Sequence, residues 1–150
     1  MDNTYTYTYF GIESNGEIGS TGLVGYERSI FDPEEITKAL NIQPFRCHTK
    51  GDLMKNGTKF LFSSWYAEKS DINRMDVEAQ CVETIKRLRN KIPALLEIKE
   101  MYNVNFVIMV VNHIFGEQKP LMSFNKDVIK FCYLTGTTIE VDMYLYPDDD

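Results

Sequence analysis

Residues 31–44 read Phe-Asp-Pro-Glu-Glu-Ile-Thr-Lys-Ala-Leu-Asn-Ile-Gln-Pro and leave the chain one local conformation. Asp32 is an N-cap, because its carboxylate can accept the orphan N–H groups two and three residues on. Pro33 at the first helical position forfeits no hydrogen bond and brings its φ preset. Glu34 and Glu35 set negative charge against the positive end of the helix dipole. Glu35 is spaced to reach back to the Asp32 N–H as in a capping box, with Phe31 stapling onto Ile36. Ile36, Ala39 and Leu40 form one apolar stripe. Asn41 tolerates the left-handed backbone that ends helices, and Pro44 blocks continuation. A short amphipathic helix of this kind must lie on an apolar surface.

The rest of the chain supplies that surface as a sheet. Residues 4–12 alternate strictly, with Tyr5, Tyr7 and Tyr9 on one face and Thr4, Thr6, Thr8 and Phe10 on the other, which predicts a strand. Ser14-Asn15-Gly16-Glu17 predicts a turn, and residues 21–26 a weaker strand interrupted by Gly22 and Gly25. Residues 45–57 are polar and turn-rich. The Asn56-Gly57 hairpin signal leads into a strand over 58–66 that buries Phe60, Phe62 and Trp65. Ser70-Asp71 starts a helix whose stripe is Cys81, Val82, Ile85, Leu88 and Ile92, and Pro93 restarts it through Tyr102. Residues 104–111 are nearly all apolar, which predicts a central strand covered on both faces. Ser123 or Asn125 caps a helix carrying Val128, Ile129, Phe131, Cys132 and Leu134, and Gly136 ends it. In the closing strand, residues 138–146, Ile139, Val141, Met143 and Leu145 are expected inward and Glu140, Asp142, Tyr144 and Tyr146 outward.

Phe31-Asp32 with Ile36 is echoed by Phe124-Asn125 with Ile129, each between strands. Either the chain holds a β-α-β internal pseudo-repeat, or capping chemistry alone produced the match. Both readings give an α+β fold: two layers, a mixed or antiparallel sheet of four to six strands, and helices mainly on one face. At 150 residues the chain is expected to form a single domain, 1–150, with the acidic tail 147–150 flexible.

The net charge of −6 repels a phosphate backbone, so a nucleic-acid partner is not expected and a basic protein partner would be steered in. The start of the chain has no basic-then-apolar signal pattern. No apolar run, the stretch at residues 107–111 included, approaches the ~20 residues that span a bilayer, so no membrane association is expected. Cys47, Cys81 and Cys132 are odd in number and widely spaced, which argues against a disulfide scaffold or zinc site and for the cytoplasm.

Together, the helix of residues 31–44, Lys50-Gly51-Asp52, Trp65 and Asp142-x-Tyr144 resemble a bacterial family known as domain of unknown function 4279. Its pattern is a first strand, a hydrophobic-Asp-Pro-x-x-Ile-Thr-x-x-Leu-Gly-Ile-x-Pro helix, a Lys-Gly-Asp or Lys-Gly-Glu turn, a Trp-containing strand, a long helical middle and a closing strand. The resemblance runs from about Tyr5 to Tyr146. Asn41 stands where Gly is usual, and Phe45 where a small polar residue is common. The family has no established activity, so the resemblance implies no catalytic or binding residues.

Chemistry-bearing clusters are sparse. Cys47-His48 is an adjacent nucleophile and base, but neighbours on an extended segment point to opposite sides, and no third group orients His48. His48, His113, Asp52 and Asp142 lack metal-ligand spacing, and no cofactor loop is present, so no metal, cofactor or catalytic residue is expected. The distinctive feature is aromatic and acidic. Should the first and last strands pair or neighbour, Tyr5, Tyr7, Tyr9, Glu140, Asp142, Tyr144 and Tyr146 gather on one sheet face, and tyrosine is enriched at interfaces. The leading expectation is a non-enzymatic cytoplasmic protein-binding domain, of the immunity or inhibitor type, acting on a basic, toxin-like partner. The competing one is a small-molecule binder or enzyme with a cleft near Cys47, His48 and Trp65. A third is a homodimer formed through the tyrosine face and first strand; the sequence fits a monomer or a homodimer.

Overall fold

The computed structural model describes residues 2–19, 22–25 and 30–148. In chain order the strands are β1 (Tyr5–Ser14), β2 (Gly16–Gly19), β3 (Gly22–Gly25), β4 (Pro44–His48), β5 (Ser64–Ala67), β6 (Val104–Phe115) and β7 (Thr137–Tyr146). The helices are α1 (Pro33–Leu40), α2 (Val77–Lys86), α3 (Ile92–Met101) and α4 (Lys126–Thr135), with a 3-10 turn at Arg89–Lys91. Five strands form one sheet in the order β4-β5-β1-β6-β7, and β2 and β3 form a separate hairpin. Within the sheet only β6 and β7 run parallel, joined through α4. The expected α+β class with a mixed five-stranded sheet is what the chain adopts. Thr21 and Tyr26, the ends expected for the second strand, and Asp149 and Asp150 of the expected tail lie outside the described residues.

The alternation in β1 decides which side the helices take. Thr6, Thr8, Phe10 and Ile12 are buried, whereas Tyr5, Tyr7 and Tyr9 are half-buried. Every tie to a helix from this sheet lies on the Thr/Phe side. Thr8 Oγ1 and Thr84 Oγ1 on α2 are 2.9 Å apart, Phe10 packs on Phe131 of α4, and the Trp65 indole N–H donates to Thr37 of α1 at 3.0 Å. One core results, from Phe10, Ile12, Trp65, Phe106, Ile108 and Val110 under Ile36, Leu40, Ile85, Leu95, Val128 and Phe131.

α1 forms as its sequence dictates. Asp32 accepts from the Glu34 N–H at 3.0 Å, Pro33 opens the helix, and Asn41 ends it at φ 53°. The capping box is absent: Glu35 instead lies 3.9 Å from Lys38, one turn on, where both charges stay solvated. α4 repeats the scheme, with Asn125 accepting from the Val128 N–H and Gly136 left-handed at φ 67°. α4 joins β6 to β7, which are adjacent and parallel, whereas α1 follows β3 of the separate hairpin and leads into β4, which runs parallel to β1 with β5 between them. The two halves therefore match in capping and strand direction and differ in pairing.

Several local expectations are corrected. Residues 44–48 are an edge strand, not loop, paired with β5. Residues 58–62 are not strand: Asn56 accepts from the Thr58 N–H at 3.1 Å, and Gly57 at φ 86° closes a turn within a loop. The second long helix starts at Asp76, which accepts from Ala79 N–H, because Ser70 is held instead by backbone bonds to Thr8 on β1. Ser14 to Glu17 is not a free turn but the passage from β1 into β2. On α4, Ile129 and Leu134 are exposed rather than part of the buried stripe.

The largest correction concerns β7. Val141, Met143 and Leu145 do lie on the helix side, in register with Val110, Asn112 and Ile114, but they are 42%, 54% and 69% exposed. β7 is the sheet edge, and the helix layer reaches only as far as Ile139, which packs against the core. β6, expected to be a central strand covered on both faces, lies between β1 and β7 with helices on one face only. On its other face Val107 and Val111 are nonetheless buried, flanked there by side chains of β1 and β7.

Candidate functional site: an open aromatic sheet face

β1 and β7 do not pair; both flank β6, and the register aligns their outward residues in rungs. Tyr5 lies opposite His113, which lies opposite Tyr144. Tyr7, Val111 and Asp142 form the next rung, and Tyr9, Met109 and Glu140 the one after. Parity along three neighbouring strands thus brings Tyr5, Tyr7, Tyr9, Glu140, Asp142, Tyr144 and Tyr146 to one face, as the alternation required. Among the described residues no helix covers it.

His113 is the hub. Its ring stacks at 4.5 Å on Tyr5 and at 4.8 Å on Tyr144, and its Nδ1 lies 2.9 Å from the Tyr146 hydroxyl. Phe115 and Tyr146 stack one rung further at 4.4 Å. In the sequence His113 stood out only as a histidine without metal-ligand spacing. The signal was parity: it shares an odd-numbered face of β6 with Asn105, but only the register with β1 and β7 shows what it touches.

The other margin was not legible at all. Gly11 leaves room for the Tyr66 ring from β5, whose hydroxyl donates to Glu13 at 3.0 Å. Tyr66 meets Tyr9 edge-on at 5.5 Å and carries the Arg46 guanidinium at 5.0 Å from its centre. Lys69 lies 4.7 Å over Tyr7 and Arg74 4.9 Å over Tyr5. These cations come from an edge strand and a loop remote in sequence. The face is therefore two-toned, with Glu140 and Asp142 along β7 and Arg46, Lys69 and Arg74 along the opposite margin. A cleft of about 480 Å³ opens between Tyr5, Tyr7, Lys69, Asp71, Arg74 and His113.

Electrostatics raise three of these phenols above their ordinary value. Burial pushes the Tyr7 hydroxyl up, with help from Tyr5 and Asp142. Burial likewise raises Tyr9, against the opposing pull of Arg46. Tyr144 is raised by its 2.9 Å hydrogen bond to Asp142 and by that carboxylate's charge. Glu13 is also raised by burial, partly offset by the bond from Tyr66.

Cys47, His48 and Trp65 do not converge. Trp65 is fully buried on the helix side. Cys47 lies opposite Trp65, and its thiol is pushed up by burial and by Glu34, Asp32 and Asp52, the reverse of an activated nucleophile. His48 points to the other side, stacked at 3.7 Å on Phe60, with Nδ1 2.8 Å from Ser64 Oγ. Ser64 and His48 have the spacing of nucleophile and base, but Ser64 is fully buried, so no substrate reaches its hydroxyl. Among the described residues no group of three His, Cys, Asp or Glu side chains could hold a metal ion, and no helix is long and apolar enough to cross a membrane.

No curated protein and no solved structure matches the chain. The model of a family described as domain of unknown function, DUF4279, matches residues 4–146, and the chain belongs to that family.

Proposed function

We propose that the chain is a non-enzymatic protein-binding domain whose contact surface is the open tyrosine face. The observation that supports this is the Tyr5–His113–Tyr144 rung and its neighbours, which no helix among the described residues covers. A solvated sheet face ordinarily carries polar side chains. This one carries five tyrosines and a histidine, the residue types that give interfaces large contact area at low entropy cost. Cross-strand aromatic pairs also stabilise the sheet by roughly 0.2–1 kcal/mol each, which explains one or two such pairs but not a face tiled with them.

The partner is a protein with a basic patch that meets Glu140 and Asp142 and an acidic margin that meets Arg46, Lys69 and Arg74. Inhibition of a basic toxin by a cognate immunity protein, in the bacterial cytoplasm, is the biological setting this chemistry suits. Affinity capture from the native host, with wild type compared against the Glu140→Gln/Asp142→Asn double variant, tests the reading. The expected result is one small basic protein retained by wild type, released as salt rises, and lost with the variant. Retention that is indifferent to salt and to both carboxylates would refute it.

A further inference from the structure

β7 ends the sheet, and among the described residues nothing pairs with its outer edge. It is a poorly protected edge. Its pairing with β6 runs from Thr137 to Tyr146 without a bulge, and it holds no lysine, and no proline before Pro147. Edges of this length and regularity are ordinarily blunted by bulges, charged side chains (lysine above all) or prolines, and of these β7 has only Glu140 and Asp142, both on the tyrosine side. The helix side adds an apolar strip. It consists of Val141, Met143 and Leu145, and α4, which packs on β7, also exposes Ile129 and Tyr133. The other side carries acids and phenols in alternation.

We infer that β7 is a self-association edge, where a second copy of this chain adds its own β7 antiparallel about a two-fold axis at Met143. The strand's own order selects both occupant and register. Opposed residues of an antiparallel pair share a face, so a two-fold contact must centre on one residue. Centred on Met143, residues 140–146 pair with their symmetry mates. Val141 then meets Leu145 of the second copy and Met143 meets itself. On the other side Asp142 meets Tyr144 and Glu140 meets Tyr146, so every apolar group opposes an apolar group and every carboxylate a phenol. Centring on Asp142 sets two carboxylates face to face, and centring on Val141 sets Glu140 against Asp142, both destabilising. Centring on Tyr144 shortens the paired stretch. The longest register without a like-charge clash is the one at Met143.

In this arrangement the two sheets become one, and Val141, Met143 and Leu145 of both copies form one apolar patch across the axis, adding side-chain contact to the backbone ladder. The two tyrosine faces lie side by side without being consumed. This differs from a dimer through the first strand: β6 pairs with β1 along one edge, and the other is taken by β5 at Gly11–Glu13 and by the backbone of Ser70 and Arg74 at Thr8 and Thr6.

Sedimentation of the full chain across a concentration series tests the inference. Wild type is expected to form a dimer, and Met143→Lys, which sets two ammonium groups on the axis, is expected to remain monomeric with an unchanged circular-dichroism spectrum. Cross-linking then reads the register. With Cys47 and Cys132 replaced by Ser, Met143→Cys is expected to form a disulfide with its own copy under mild oxidation, and Asp142→Cys, about 7–8 Å from its mate in this register, is not. A monomer up to millimolar concentration overturns the inference, as does a dimer that survives Met143→Lys or one that couples through position 142. A dimer lost with Tyr7→Ala but not with Met143→Lys would place the contact on the open face and overturn it too. None of these results depends on whether the tyrosine face binds a partner.

Discussion

Replacing Gly11 by alanine should destabilise the protein, although the same change in most strands stabilises it. A glycine in a strand interior ordinarily costs about 0.5–1 kcal/mol relative to alanine, through backbone entropy. Here a Cβ would sit 2.8 and 2.9 Å from Cδ1 and Cε1 of Tyr66 and 3.2 Å from Cγ1 of Val107. Carbon atoms pack at roughly 3.5–4.0 Å, so the ring must retreat by a large fraction of an ångström. It has little freedom to do so: its hydroxyl is held by Glu13 at 3.0 Å, Tyr9 abuts it and Arg46 lies over it. Overpacking of this kind costs about 1–3 kcal/mol. The entropy gain offsets part of that, which leaves a net loss of roughly 1–2 kcal/mol. Urea denaturation monitored by fluorescence of the buried Trp65 reads it directly. In a Tyr66→Leu background the obstructing ring carbons are gone, and Gly11→Ala should become neutral or stabilising. A stabilising Gly11→Ala in the wild-type background would refute the claim that Gly11 exists to seat Tyr66.

Three further outcomes follow from single side chains. Thr6 Oγ1 is buried without a hydrogen-bond partner among the described residues, so Thr6→Val should raise stability by about 1 kcal/mol in the same urea assay; an equal loss would mean the hydroxyl has a partner. Asp32→Ala removes the α1 cap and should cost about 1 kcal/mol, whereas Glu35→Ala, which breaks no capping box, should cost much less. Burial, with the Arg46 charge nearby, lowers the pKa of His48 below its ordinary 6.5. Above that value the imidazole is neutral in folded and unfolded chains and contributes no slope. As pH falls through 6.5 toward the lower folded value, the unfolded chain takes up the proton first, so stability should drop across that window. His48→Gln should remove that part of the slope; an unchanged pH profile would contradict it.

Local chemistry made α1 legible, because Asp32, Pro33 and Asn41 each act within four residues of where they stand. The face parity of β1 was legible for the same reason: it needs only the period of the strand. What depended on long-range pairing was not. Phe60 and Phe62 looked like strand residues, yet they pack on His48 from a loop whose shape Asn56 and Gly57 set. Alternation in β7 named its two faces correctly but could not show that β7 is an edge, and so misjudged the burial of Val141, Met143 and Leu145. Of the aromatic face, the tyrosines and acids were foreseeable by parity alone. His113 needed the register of three strands, and Arg46, Lys69 and Arg74 needed the path of the chain.

The central claim is that the open face of phenol rings is a contact surface. Calorimetric titration of the captured partner into wild type and into the Tyr7→Ala/Tyr144→Ala double variant tests it most directly. Aromatic residues central to an interface cost 2 kcal/mol or more on truncation, so the account predicts that the double variant, folded as shown by its unfolding transition, binds at least about 30-fold more weakly. Equal affinity for the two proteins would contradict it.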